Sequence, residues 1–141
     1  MRLLLDANIL LDCLILESSG MPRVGKPASG KILDLCDHGH HQGLVAWHTL
    51  PIISYYHRRQ NPVERTAAMI DALLRVVEIP TVGHAEAVAW RTHGNADFED
   101  ALQAACAVAG HADFIITRNG ADFTGSFVPA MTPEEFLVAH S

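Results

Sequence analysis

Three leucines in succession, Leu3-Leu4-Leu5, end at a carboxylate, Asp6. The run does not alternate apolar with polar residues, so a strand built from it is buried on both faces. Strands of that kind belong to parallel sheets covered by helices above and below. Short apolar runs recur down the chain at Gly43-Leu44-Val45-Ala46-Trp47, Val77-Glu78-Ile79 and Asp113-Phe114-Ile115-Ile116-Thr117. Helical spacing fills the intervals. Asn8 lies near the start of the first helix, with Ile9, Leu10, Cys13 and Leu14 on one face. Further helices are expected over residues 31–38, 48–60, 63–76, 84–91 and 97–110. Pro51 falls in a first turn, where a missing N–H is tolerated. Residues 18–30, rich in Gly, Pro and Ser, read as a loop. Phe127-Val128-Pro129 is expected to add an edge strand, because proline cannot donate to a ladder. Thr132-Pro133-Glu134-Glu135 has the form of a capping box opening a last helix.

Strands alternating with helices predict an α/β fold: a three-layer α/β/α, Rossmann-like domain with a mainly parallel sheet of four to five strands. One domain is expected over residues 1–141, a length that supports an ordinary core. Hydrophobic residues at 49% and charged residues at 18% exclude long disordered regions. No apolar run approaches the roughly 18 residues of a membrane helix, and Met1 to Leu5 meets Asp6 too soon for a secretory leader. A cytoplasmic protein without membrane contact is expected. Cys13, Cys36 and Cys106 form no Cys-x-x-Cys pair and read as buried free thiols. Trp47 and Trp90 read as core. Ten Lys and Arg against 16 Asp and Glu give a net charge of −6. That argues against broad nonspecific nucleic-acid binding. It leaves room for a nuclease, whose metal-binding acids themselves lower the charge.

Ligands in parallel α/β folds bind at the carboxyl ends of the strands. Asp6 follows the first strand directly, although a turn acid or helix cap would look the same. Asp97 and Asp100, three apart, share a helix face. They suit either a hard divalent cation or the capping of a helix start. Thr117, Asn119 and Asp122 follow the strand at Ile115-Ile116, where an Asn-Gly turn is the plain alternative. One acidic metal site built from Asp6, Asp100 and Asp122 is more economical than three unrelated turn acids.

In order, Leu5-Asp6-Ala7-Asn8, Asp97-Phe98-Glu99-Asp100-Ala101-Leu102-Gln103 and Ile116-Thr117-Arg118-Asn119-Gly120-Ala121-Asp122-Phe123 resemble the motifs of PIN-domain proteins, over essentially the whole chain. The closing segment from Met131 to Leu137 completes the set. The resemblance implies a Mg²⁺- or Mn²⁺-dependent ribonuclease, of the VapC-like toxin kind found in toxin–antitoxin pairs. It implies RNA as substrate, an antitoxin protein as partner and a homodimer. By that resemblance Asp6, Asp100 and Asp122 are catalytic acids and metal ligands, with Asp97 as an additional ligand. Asn8, Thr117 and Asn119 stand beside them as supporting residues. PIN nucleases usually carry a further glutamate early in the helix after the second strand. Here Ile52 takes that position, no acid occurs between Asp37 and Glu64, and the subgroup with the Asp-Phe-Glu-Asp run shows the same lack. His48 is a candidate donor nearby. Arg58 and Arg59, in the compact basic group His57-Arg58-Arg59, are RNA-binding candidates together with Arg118, with Tyr55 and Tyr56 as a stacking face.

Two other readings compete. A haloacid-dehalogenase-like phosphatase also opens with a strand ending in Asp, but needs a second acid two residues on, where Asn8 stands, and a late lysine, whereas none follows Lys31. A PIN fold with weakened or lost catalysis, acting as an RNA- or protein-binding module, is favoured by Ile52 and opposed by Asp6, Asp100, Asp122 and Asn119.

Overall fold

Leu3, Leu4 and Leu5 are all fully buried, as a strand covered on both faces requires. In the computed structural model, which describes residues 1–140, they lie in β1 (Arg2–Leu5) at the centre of a five-stranded sheet. β2 (Gln42–Leu44) and β3 (Val77–Glu78) extend it on one side; β4 (Phe114–Ile116) and β5 (Ala130–Met131) extend it on the other. The order is β3-β2-β1-β4-β5 and every pairing is parallel.

The strand period of two sends alternate side chains to two cores. Leu3, Leu5 and Ile116 pack on one face against Ile9 and Leu10 of α1 (Ala7–Leu14), Ile32 of α2 (Lys26–Asp37) and Ile53 of α3 (Thr49–Gln60). Leu73 of α4 (Val63–Val76) and Phe136 of α7 (Pro133–Ala139) complete that layer. Leu4, Leu44 and Ile115 face the other way, onto Ala104, Cys106 and Ala107 of α6 (Phe98–Ala109). The alanine-rich face of α6 is what lets its backbone come close to the sheet.

The chain therefore builds outward from β1 through β2 to β3, then crosses through α5 (His84–Val88) and α6 to β4 on the opposite side. The winding reverses between β1 and β4. At such a reversal the connections leave in opposite directions and open a crevice above the strand ends. Asp6 and Thr117 are the residues that follow β1 and β4 there.

Several boundaries differ from expectation. α2 begins at Lys26, inside the expected loop, because Gly25 and the first turn pack against α1: a Cβ on Gly25 would lie 2.2 Å from Asp12 Oδ2. β5 lies at Ala130–Met131 instead of Phe127–Pro129, since Pro129 has only a carbonyl to offer, which accepts from the Ile115 N–H at 2.9 Å. The expected helix over residues 84–91 stops at Val88 and gives way to a 3-10 turn over Trp90–His93. Trp47 is 68% exposed, not core. Among the described residues, no helix is long and apolar enough to cross a membrane.

Candidate metal centre

Asp6 serves first as the N-cap of α1: its Oδ1 accepts from the Ala7 N–H at 2.7 Å. Its Oδ2 accepts from the Thr117 hydroxyl at 2.7 Å and from the Asn8 amide at 3.2 Å. Thr117 is buried, and its hydroxyl oxygen in turn accepts from the Asn119 N–H at 3.1 Å. Asp6, Asn8, Thr117 and Asn119 thus form one hydrogen-bonded unit at the winding reversal. Burial pushes the Asp6 carboxyl up; the Thr117 hydroxyl and the Ala7 N–H pull it down, and the charges of Glu99 and Asp122 push it up again.

The start of α6 supplies the densest charge. Donor atoms of Asp97, Glu99 and Asp100 lie within 4.8 Å of one another. Asp97 is the N-cap of α6 and accepts from the Asp100 N–H at 3.1 Å, so the capping reading of this acid is correct as far as one oxygen goes. Asp100 is pushed up to about 7, first by burial and then by the charges of Glu99, Asp97, Asp122 and Asp6. Asp122, in the 3-10 turn Gly120–Phe123, is exposed and lies outside the tight group, as does Asp6. Both still act on Asp100 through their charge.

Two residues at this site escape sequence reasoning. Glu99 lies with its Oε1 3.3 Å from His48 Nε2, and the His48 ring holds its carboxyl below the usual range against the opposing effect of burial. Gln103, one helical turn on, is fully buried; its Nε2 donates to Thr49 Oγ1 at 2.8 Å and reaches Asp6 Oδ1 and Glu99 Oε1 at 3.4 Å each. The signal was the i, i+4 spacing of Glu99 and Gln103 on a helix otherwise built of small apolar residues.

The basic candidates lie elsewhere. Arg58 and Arg59 sit nine and ten residues past Thr49 on α3, roughly 14 Å along the axis at helical rise. Arg58 donates to the Asn61 carbonyl at 2.7 Å, and Arg59 lies over the Tyr55 ring. His57 is buried against the Thr66 hydroxyl. Arg118 turns away from the acids and pairs with fully buried Asp12 at 2.7 Å, as Arg23 does at 3.1 Å. Among the described residues, His48 is then the single basic side chain within 4.0 Å of any of Asp6, Asp97, Glu99, Asp100 and Asp122.

A family model described as a PIN domain matches residues 2–121. The chain belongs to the PIN-domain family. Solved structures similar to this PIN domain include VapBC2 from Rickettsia felis bound to a DNA fragment from their promoter, at 18% identity and a TM-score of 0.65, over 94% of this chain and 98% of that one. VapBC-1 from nontypeable Haemophilus influenzae aligns at 15% identity and 0.66, over 95% and 99%. FitAcB from Neisseria gonorrhoeae aligns at 17% and 0.57, over 94% and 98%. No curated protein sequence matches the chain.

The donor set of this PIN domain suits a hard divalent ion: carboxylate oxygens, no thiol within reach, and acids that repel one another. Two polar atoms of the residues beside the acids, His48 Nε2 and Gln103 Oε1, are buried without a hydrogen-bond partner. Ile52, on the first turn of α3, is partly buried; at the start of this helix His48 lies beside Glu99, and Thr49 accepts from the Gln103 amide.

Proposed function

We propose that this chain is a divalent-metal-dependent ribonuclease that hydrolyses RNA phosphodiester bonds, and that it is the toxin of a VapBC-like pair. The observation that carries the reading is charge without a counterion: Asp6, Asp97, Glu99, Asp100 and Asp122 gather at the winding reversal with His48 as their single basic neighbour. Carboxylates collected in this way destabilise the fold unless a cation is part of the design.

Asp6 and Asp100 would hold Mg²⁺ or Mn²⁺, with Asp122 and Asp97 behind them. The cation supplies Lewis acidity: it lowers the pKa of water and offsets charge on a phosphate. The chain's own part is to hold these oxygens still. Thr117 and Asn8 fix the Asp6 carboxylate, Asn119 fixes the Thr117 hydroxyl, and the Asp97 carboxylate orders the first turn beneath Asp100. No serine or histidine nucleophile is needed. An antitoxin as partner and a homodimer as working form are supported by the similarity to VapBC and FitAB proteins.

The test is cleavage of a single-stranded RNA by the full chain with Mn²⁺ or Mg²⁺. We expect chelation by EDTA to stop cleavage, and Asp6→Asn and Asp100→Asn to abolish it with the circular dichroism unchanged. Cleavage that survives either substitution with the same metal dependence would sink the assignment. A binding module without catalysis is the second reading, favoured by Ile52 where an acid is usual. It takes first place if the protein binds RNA and cuts none.

A further inference from the structure

Arg23 and Arg118 share one carboxylate oxygen. Arg23 Nε lies 3.1 Å and Arg118 Nη2 lies 2.7 Å from Asp12 Oδ1, while Oδ2 accepts from Ser29 at 2.8 Å. Two positive charges therefore meet one negative charge. The excess is not sealed inside the fold, since the two side chains are 23% and 33% exposed. Among the described residues Arg23 donates through Nε alone, which leaves most of its five N–H groups free for another acceptor. A guanidinium fork with spare donors and uncompensated charge suits a phosphate.

Arg23 also lines a groove of about 640 Å³ between residues 15–23 and the end of α3. The groove has fixed walls. Gln60 pairs with both the N–H and the carbonyl of Leu16, at 2.9 and 2.8 Å, and Leu16 bridges to Pro22 across the loop. From α3 the groove receives Tyr56 and Arg59. Arg59 lies over the Tyr55 ring, and Tyr55 meets Tyr56 edge to face. The groove's single acid is Glu17, which is exposed. Neither Glu17 nor Arg59 has an oppositely charged group within 4.0 Å among the described residues. In a chain of net charge −6, two arginines beside an exposed aromatic ring match single-stranded RNA: phosphates for the guanidinium groups, a base for the ring. An acidic peptide would match the charges and leave the ring unused.

The groove is connected to the acids. Asp12 follows Asp6 by six residues along α1, roughly 9 Å at helical rise. Arg118 spans that interval. Its N–H reaches Asn8 Oδ1 at 3.4 Å, beside Asp6, and its guanidinium meets that of Arg23 at Asp12.

Resting on the metal-nuclease reading above, we propose that this groove binds the stretch of RNA next to the cut. Arg23 and Arg59 hold its phosphates, Tyr56 stacks on a base, and Arg118 bridges the groove to the acids.

The experiment is fluorescence anisotropy of a labelled single-stranded oligouridylate titrated with the full chain in EDTA, over a series of salt concentrations. Arg59→Gln is expected to weaken binding about tenfold and to reduce the slope of log K against log salt by about 0.7, one phosphate contact on a single strand. Tyr56→Ala is expected to weaken it about tenfold with the slope unchanged, because stacking carries no counterion. Arg23→Lys keeps the ion pair with Asp12, loses the fork, and weakens binding at unchanged slope. Circular dichroism of each verifies the fold, and the exposed Arg59 and Tyr56 carry the test if Arg23→Lys does not fold. Arg75→Gln, on α4 and outside the groove, is the control; an equal loss of slope there would mean diffuse attraction and overturn the proposal. A labelled oligoglutamate that needs Arg23 and Arg59 where the RNA does not would give the groove to an acidic protein and overturn it too. Cleavage of the same RNA with Mn²⁺ separates the two readings. Wild-type binding and cleavage in all three groove variants overturn the groove and leave the nuclease standing. Binding that depends on the groove, with no cleavage by the wild type, keeps the groove and overturns the nuclease.

Discussion

Asp12 shows how much one buried side chain can organise. It is fully buried on α1, accepts from Ser29 at 2.8 Å, and draws in both Arg23 and Arg118. Through Arg118 it anchors the segment that carries Thr117 and Asn119, so the far side of the acidic site is tied to α1 and α2. Asp12→Ala leaves two partly exposed guanidinium groups without their partner and is expected to cost about 1–3 kcal/mol, read as a lower denaturant midpoint. Gly25→Ala forces a methyl into the Asp12 carboxylate, 2.2 Å from Oδ2, and acts in the same direction by about 1–3 kcal/mol. A midpoint unchanged in both variants would mean that this network contributes nothing to the fold. Arg118 was legible in the sequence as a charge near a site, and its true partner was not, because Asp12 looks like the polar side of an amphipathic helix until α2 covers it.

At the level of the element, the first turn of α6 is at once a helix cap and an acidic cluster. Its cap and its acids are the same residues, which is why the sequence pattern Asp-Phe-Glu-Asp suits capping and metal binding equally. The roles separate by substitution. Asn caps about as well as Asp, whereas Ala does not. Asp97→Asn is expected to leave the stability of the metal-free protein within about 0.5 kcal/mol, and Asp97→Ala to lower it by about 1 kcal/mol. Both weaken Mn²⁺ binding. Equal stability losses for the two would show that the carboxylate charge, not the cap, supports α6. The capping box Thr132–Glu135 was readable in the same way and closes as expected, with Glu135 N–H to Thr132 Oγ1 at 3.1 Å. α2 was expected to start five residues later than it does, since Gly and Pro weigh against a helix locally while packing against α1 favours one.

For the molecule as a whole, the gathered acids set how stability varies with pH. The Asp100 carboxyl lies at about 7 in the folded chain, against an ordinary 3.8. Between those values the folded protein holds a proton that the unfolded chain has released. Stability of the metal-free protein therefore falls as pH rises from about 4 to about 7, and levels off above. Asp6, raised by burial, acts in the same direction. Thermal melting of the metal-free protein is expected to show a higher midpoint at pH 5.5 than at pH 8, with the slope reduced in Asp100→Asn. Mn²⁺ reverses the order: its ligands must be deprotonated, so the rise in midpoint on adding Mn²⁺ is larger at pH 8 than at pH 6. A pH-independent rise would place the ion away from Asp100.

The sequence by itself determined the fold class, a mainly parallel sheet covered by helices on both faces. Periodicity is local: a run such as Leu3-Leu4-Leu5 is committed to two-sided burial whatever surrounds it, and helical spacing in residues 63–76 needs no distant partner to be recognised. It also marked Asp6, Asp100 and Asp122, because ends of strands and starts of helices are visible in the chain. Only the tertiary structure decided which side chains come together. The reversal of winding between β1 and β4 brings residues 6, 99, 103 and 117 together across more than a hundred positions. Side-chain direction then selects among neighbours: Glu99 and Gln103 turn inward from α6, Arg118 turns away to Asp12, and Arg58 and Arg59 are carried off by the length of α3. Those outcomes follow from packing between elements, to which spacing along the chain is blind.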